Sequence, residues 1–187
     1  MDFNKQLKSI NTMAESFNNK LTSSAGIVTT TTVASIGAGA TTISGISTSG
    51  ISVGDMVDAT FFRGATKVYS IGTGSVLVDK SSINNSIAAN QNVNFMGVTT
   101  AYTASGKSIL VGGTFANLTG NSVNLFVEIG IGNTFANIAN DIPVPTGSSF
   151  VISDAGKTIL RPNEEIRVYC DTENALDVSL SILEGVA

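Results

Sequence analysis

Apolar residues recur along the start of the chain with a helical spacing. Phe3, Leu7, Ile10, Ala14, Phe17 and Leu21 follow one another at intervals of 4, 3, 4, 3 and 4, the seam of a coiled coil. The pattern predicts a helix over 3–22, with Asp2 as its N-cap and Gly26 as its stop. Asn4, Asn11 and Asn18 flank the seam. They are uncharged and so select no partner by ion pairing. A lone helix of that length is marginal in water, so the stripe needs a surface to pack on. Three are open: the chain's own β-structure, further copies in a short bundle, or a larger assembly.

Beyond Ser23-Ser24-Ala25-Gly26 the period changes to two. Over 26–100 the Thr-rich, β-branched runs TTTTVASI, ATTISGI, MVDATFF, TKVYSI, SVLVD and VNFMGV read as short strands. Gly72-Thr73-Gly74 joins two of them as a hairpin. VTTAYTASG, ending at Gly106, reads as a linker. Over 101–187 the alternation is cleaner. Val123, Leu125, Val127, Ile129 and Ile131 share one face of a strand, as do Ile166, Val168 and Cys170, and Val178, Leu180 and Ile182. Pro143 and Pro145 mark an edge or loop, and Pro162-Asn163 marks a tight turn. The predicted fold is mainly β. An N-terminal α-helix (1–25) precedes two small antiparallel β-sandwich or barrel modules, 26–100 and 101–187.

Composition narrows the function. Charged residues are 13 % of the chain, against about 25 % in an ordinary globular protein. Ser, Thr, Asn and Gly fill the deficit, while the apolar share of 42 % is normal. The net charge of −4 has the wrong sign for phosphate binding, so no nucleic-acid partner is expected. The chain has no His and one Cys, which argues against Ser-His-Asp and Cys-His catalysis, histidine metal sites and an internal disulfide. No signal peptide is apparent, nor any run of about 18 apolar residues, so no membrane partner is expected.

Few residues offer chemistry. Cys170 falls on the apolar side of its strand and reads as a buried, inert thiol. Asp55 and Asp58 sit three apart near a turn, short of the six to eight oxygens a calcium ion takes, and read as solvated turn acids. Glu164 and Glu165 are adjacent, so on a strand their side chains diverge. Tyr69, Tyr102 and Tyr169 read as core or rim residues. No phosphate-binding glycine motif and no exact internal repeat is present. The chain is expected not to be an enzyme and to carry no cofactor or metal.

Three stretches carry a resemblance. They are SILVGGTFANLTGNSVNLFVEIG, DIPVPTGSSFVISDAGKTILRPNEEIRVYC and the terminal ALDVSLSILEG. The Asn117-Leu118-Thr119 turn, the proline stretch from Pro143 to Ser148, the hairpin from Gly156 to Pro162 and the strand Ser181 to Glu184 resemble small β-sandwich virion proteins of tailed bacteriophages of marine and cyanobacterial type. Asn163-Glu164 replaces the Gly-Asp common in that group, a change that keeps the turn. Gly50 to Val57, GISVGDMV, is similar to modules of phage tail and surface proteins. The resemblance implies a structural accessory protein of a phage particle, localised to the virion and assembled in the host cytoplasm. Capsid decoration or cement comes first, and a neck, collar or tail-attached protein second. The implied partners are other virion proteins and further copies of the chain, a trimer among the arrangements. The predicted interaction residues are Phe3, Leu7, Ile10, Ala14, Phe17 and Leu21. The alternative is a carbohydrate- or host-receptor-binding module, against which the absence of Trp counts.

Overall fold

The computed structural model describes residues 15–57, 60–82, 86–153 and 158–186, and all regular structure among them is β. The predicted N-terminal helix is overturned. Its second half is instead strand β1 (Ser16–Ala25), paired antiparallel with the far end of the chain. Phe3, Leu7, Ile10 and Ala14 lie outside the described residues. Two physical reasons explain the correction. A spacing of four, as between Phe17 and Leu21, fits one face of a strand as well as one face of a helix. The intervening Asn, Thr and Ser residues are weak helix formers, so pairing to the C-terminal strand decides the outcome.

Gly26 turns the chain out of β1 at φ +122°, where an added Cβ would lie 2.3 Å from the carbonyl oxygen of Thr172. Only glycine fits that conformation and that gap. Six strands follow: β2 (Ile27–Thr32), β3 (Thr42–Ser44), β4 (Met56–Val57), β5 (Thr66–Gly72), β6 (Ser75–Val78) and β7 (Asn92–Gly97). They form one antiparallel sheet in the order β2-β7-β4-β5-β6-β3. The sheet curls until its ends meet, where the Ala34 N–H donates to the Ser44 carbonyl at 3.1 Å. The result is a small barrel filled by Ile43, Phe62, Val68, Val76, Ile87 and Phe95 among others. The hairpin predicted at Gly72-Thr73-Gly74 is present, with Gly74 at φ 64°.

The remaining strands are β8 (Thr99–Thr103), β9 (Ser108–Asn117), β10 (Val123–Ile131), β11 (Thr134–Val144), β12 (Ser149–Ile152), β13 (Thr158–Leu160), β14 (Glu165–Cys170) and β15 (Leu176–Glu184). They form a sandwich. One sheet runs β1-β15-β9-β12, with β13 also on β9, and the other runs β11-β10-β14-β8. Between them pack Leu125, Val127, Ile166 and Val168 from one side and Leu110, Phe115, Val178, Leu180 and Ile182 from the other. The alternation read from the sequence therefore points inward as far as Ile129, which packs partly buried against the core, whereas Ile131 is exposed. The Pro162-Asn163 turn is also present: Glu164 N–H donates to Arg161 O at 3.0 Å and Asn163 sits at φ 67°. The supposed linker at 98–106 is largely strand β8. It pairs with β14 and places Tyr102 and Ala104 in the core.

The sandwich takes β1 from before the barrel and β8 from after it. The barrel is thus an insertion, and its first and last strands face each other at Ile27 and Gly97.

Candidate interaction surface

The outer face of the five-stranded sheet carries an apolar row that no single strand reveals. In register, Phe17 lies opposite Leu183, Leu183 opposite Ile109, and Ile109 opposite Ile159. A second row runs Leu21, Ser179, Thr114, Val151. Phe17 is 61 % exposed, Leu21 76 %, Val151 54 % and Ile159 59 %. Ile109, Val111 and Leu183 are half-buried between them. A shallow groove of about 260 Å³ runs beside Leu21, Thr114, Ala116 and Ser179. The central strands β9 and β15 bury their other face, while β1 half-buries Asn18, Lys20 and Thr22 on its own, so the outward residues are not needed for the core. Contiguous exposed apolar surface of this kind marks an interaction site more often than scattered single residues do. Of the predicted interaction residues, Phe17 and Leu21 lie on this face. Their partners there are strand neighbours from distant parts of the chain, not a helical seam.

The opposite, four-stranded sheet has the outer face of its two central strands, β10 and β14, covered by the barrel. Phe126 and Tyr169, adjacent across β10 and β14, pack against Met56, Ala65 and Met96, with Val98 alongside. Glu128, 1 % exposed, lies beside this contact. It accepts a hydrogen bond from the Tyr169 hydroxyl at 2.7 Å and ion-pairs with Lys67 of the barrel. The Lys67 ammonium also lies 5.1 Å from the centre of the Phe135 ring, and the Arg167 guanidinium lies 3.9 Å from it. Burial and the adjoining Glu128 carboxylate push the Tyr169 phenol well above its ordinary range, so it stays a hydrogen-bond donor. Beside the joint a cleft of about 250 Å³ is lined by Val53, Tyr69, Asp79, Asn133, Phe135 and Arg167, among others.

β1 is tied down along the side of the sandwich by a polar cluster around Glu184. The carboxylate accepts from Tyr102 Oη at 2.8 Å and Asn18 Nδ2 at 2.7 Å, and pairs with Lys20 Nζ at 3.0 Å. The Tyr102 hydroxyl, followed by Lys20 and Asn18, holds the carboxyl below its usual range against a smaller opposing effect of burial.

No family, curated protein or solved structure matches this chain.

The other residues singled out from sequence fall into structural roles. Cys170 is buried, and burial pushes its thiol up to about 11. Asp55 differs from the solvated acid expected. It is buried and accepts the Ser52 N–H at 2.7 Å, closing the 52–55 turn. Its partner in the calcium reading, Asp58, lies outside the described residues. Glu164 accepts the Arg161 N–H and Glu165 pairs with Arg167, so the two carboxylates do separate work. Among the described residues no cluster of three potential metal ligands occurs. Sequence reasoning missed Phe126, Glu128 and Tyr169 as a joint. The available signal was a large aromatic on the supposedly wet face of each of two strands.

Proposed function

We propose that the protein is a structural accessory component of a tailed-phage virion, decorating the capsid or attached at the neck, collar or tail. It is assembled in the host cytoplasm and binds other virion proteins through the outer face of its five-stranded sheet. The observation that carries this reading is the apolar row Phe17–Leu183–Ile109–Ile159. Such a face stabilises a complex by burial, at about 25 cal/mol per Å² of apolar surface. The charge-poor, Ser/Thr/Asn-rich chain supports dense packing without strong like-charge repulsion. The resemblance of the C-terminal stretches to small virion proteins points the same way. In this reading the sheet face replaces the coiled-coil helix as the attachment device.

Antibody labelling in electron micrographs of particles from cells carrying the coding sequence tests the proposal. Label is expected on particles, and a Val151→Lys/Ile159→Lys variant with an unchanged circular dichroism spectrum is expected to lose it. Protein found only free in the lysate would overturn the reading.

The cleft beside the joint favours a second reading, a receptor- or glycan-binding module. It sets the exposed Tyr69 ring near Asp79, Asn133 and Arg167, an aromatic surface with polar groups around it. Glycan-array binding that disappears in Tyr69→Ala would favour this reading over the first.

A further inference from the structure

A sheet edge left open is a template for another strand, and proteins usually blunt it. The edges here differ in that respect. β11 carries Pro143, a positive φ at Asp141 and two register breaks against β10. β12 and β13 are short and split one edge between them, and β8 has five residues. The ends of the barrel sheet meet each other. β1 is the exception. It is ten residues long, has no proline, and has its one irregularity at its far end, between Thr22 and Ala25. Its single charge, Lys20, is turned to Glu184 and Tyr102 and does not guard the edge. Among the described residues β1 pairs only with β15.

The sequence of β1 is also self-complementary. We propose that β1 pairs antiparallel with β1 of a second copy about a twofold axis through Asn19. In that register Phe17 faces Leu21 of the other chain, Asn18 faces Lys20, and Ser16 faces Thr22. The two Phe17–Leu21 contacts join residues that are 61 % and 76 % exposed in the single chain. Shifting the axis to residue 20 sets Lys20 against Lys20 and loses both contacts. Shifting it to residue 21 brings Ser24, at φ 53° within the register break, into the ladder. The pairing is isologous, as closed dimers require. It makes one continuous ten-stranded sheet and places the two apolar rows side by side. The partner is thus a second copy of this chain, whatever larger assembly the apolar face serves.

The full-length chain tests this directly, without particles. Sedimentation equilibrium is expected to show a dimer, and Leu21→Lys to weaken it roughly tenfold or more through two lost cross-strand contacts. Leu21 is exposed, so that variant keeps the monomer fold. Cross-strand partners lie about 4.5–5.5 Å apart at Cα, within disulfide reach. Asn19→Cys is therefore expected to cross-link two copies on mild oxidation, while buried Cys170 contributes no background. A mixture of Phe17→Cys and Leu21→Cys chains is expected to cross-link to each other more readily than either does alone. A monomer at all concentrations would overturn the proposal. So would a dimer indifferent to Leu21→Lys, or one that forms only after removal of residues 1–14, which would show the chain's own N-terminus occupying the edge. Failure of this pairing leaves the Val151/Ile159 labelling result unaffected.

Discussion

Replacing Lys67 by Met is expected to cost the protein about 3 kcal/mol at the joint between its two β-units. Glu128 is 1 % exposed, whereas the Lys67 side chain keeps about a fifth of its surface, 21 %. Breaking a buried pair by removing one member costs roughly 3–5 kcal/mol, because the remaining charge is stranded without compensation. The partial exposure of Lys67 lets some water reach the site and puts the cost at the lower end of that range. The reverse substitution, Glu128→Gln, is milder. It leaves the ammonium able to reach solvent and keeps an amide beside Tyr169, for a cost of about 1 kcal/mol. The double variant Lys67→Met/Glu128→Gln strands no charge and should fall within ~1 kcal/mol of Glu128→Gln. The single Lys67→Met change should therefore be the least stable of the three. Urea unfolding at pH 7, followed by far-UV circular dichroism and extrapolated linearly, reads these differences. A Lys67→Met variant within ~1 kcal/mol of the parent, or no worse than Glu128→Gln, would refute the claim that the joint buries an ion pair whose charge depends on its partner.

Phe126→Ala should cost about 3–5 kcal/mol, while its neighbour Asn124→Ala should cost under ~0.5 kcal/mol; denaturant midpoints compare them. Replacing residues 27–97 with an Asn-Gly turn should leave a sandwich that still unfolds cooperatively but binds a hydrophobic dye through the uncovered Phe126 and Tyr169. A fragment of residues 105–187, lacking β1 and β8, should show no cooperative transition. Tyr102→Phe should raise the titration midpoint of Glu184 toward the ordinary carboxylate range, as read by carbonyl-carbon NMR. Because that carboxyl is depressed in the fold, its contribution is present above the unfolded carboxylate pKa and is lost as pH falls through the folded value. Removing the hydroxyl shrinks this contribution and moves its loss to higher pH.

The parts of this fold legible in the sequence are those whose signal is local. Val123, Leu125 and Val127 alternate within one strand, and Pro162-Asn163 makes its turn from its own backbone preferences. Strand β1 was illegible because the Phe17–Leu21 spacing satisfies both periods and its deciding partner, β15, lies at the other end of the chain. β8 looked like a linker for a related reason: a short Thr- and Ala-rich strand declares itself only when paired to β14. The apolar row was out of reach altogether, since Phe17, Leu183, Ile109 and Ile159 adjoin only after four strands take their register. Phe126 and Tyr169 carried a local signal, because a large aromatic opposite the aliphatic face of each of two strands marks a sheet covered on both sides.

The insertion also fixes a direction. Because the chain leaves the sandwich after β1 and returns at β8, the barrel is delivered to one flank and packs on the outer face of the four-stranded sheet, around Phe126, Glu128 and Tyr169. The five-stranded sheet lies on the other side of the core, with Phe17, Leu21, Val151 and Ile159 facing away from the barrel. One face of the sandwich is thus covered at its centre by the barrel, and the other is exposed. A protein attached by the second face holds its barrel on the far side from the surface it binds. The ion pair at Lys67 and Glu128, with the aromatic contacts beside it, then sets how firmly the barrel follows the sandwich. Weakening the joint should loosen the barrel without releasing attachment, and disrupting the apolar face should release attachment without loosening the joint. The two perturbations act on opposite sides of one core and share no contacting residue, so their stability effects should add to within about 0.5 kcal/mol.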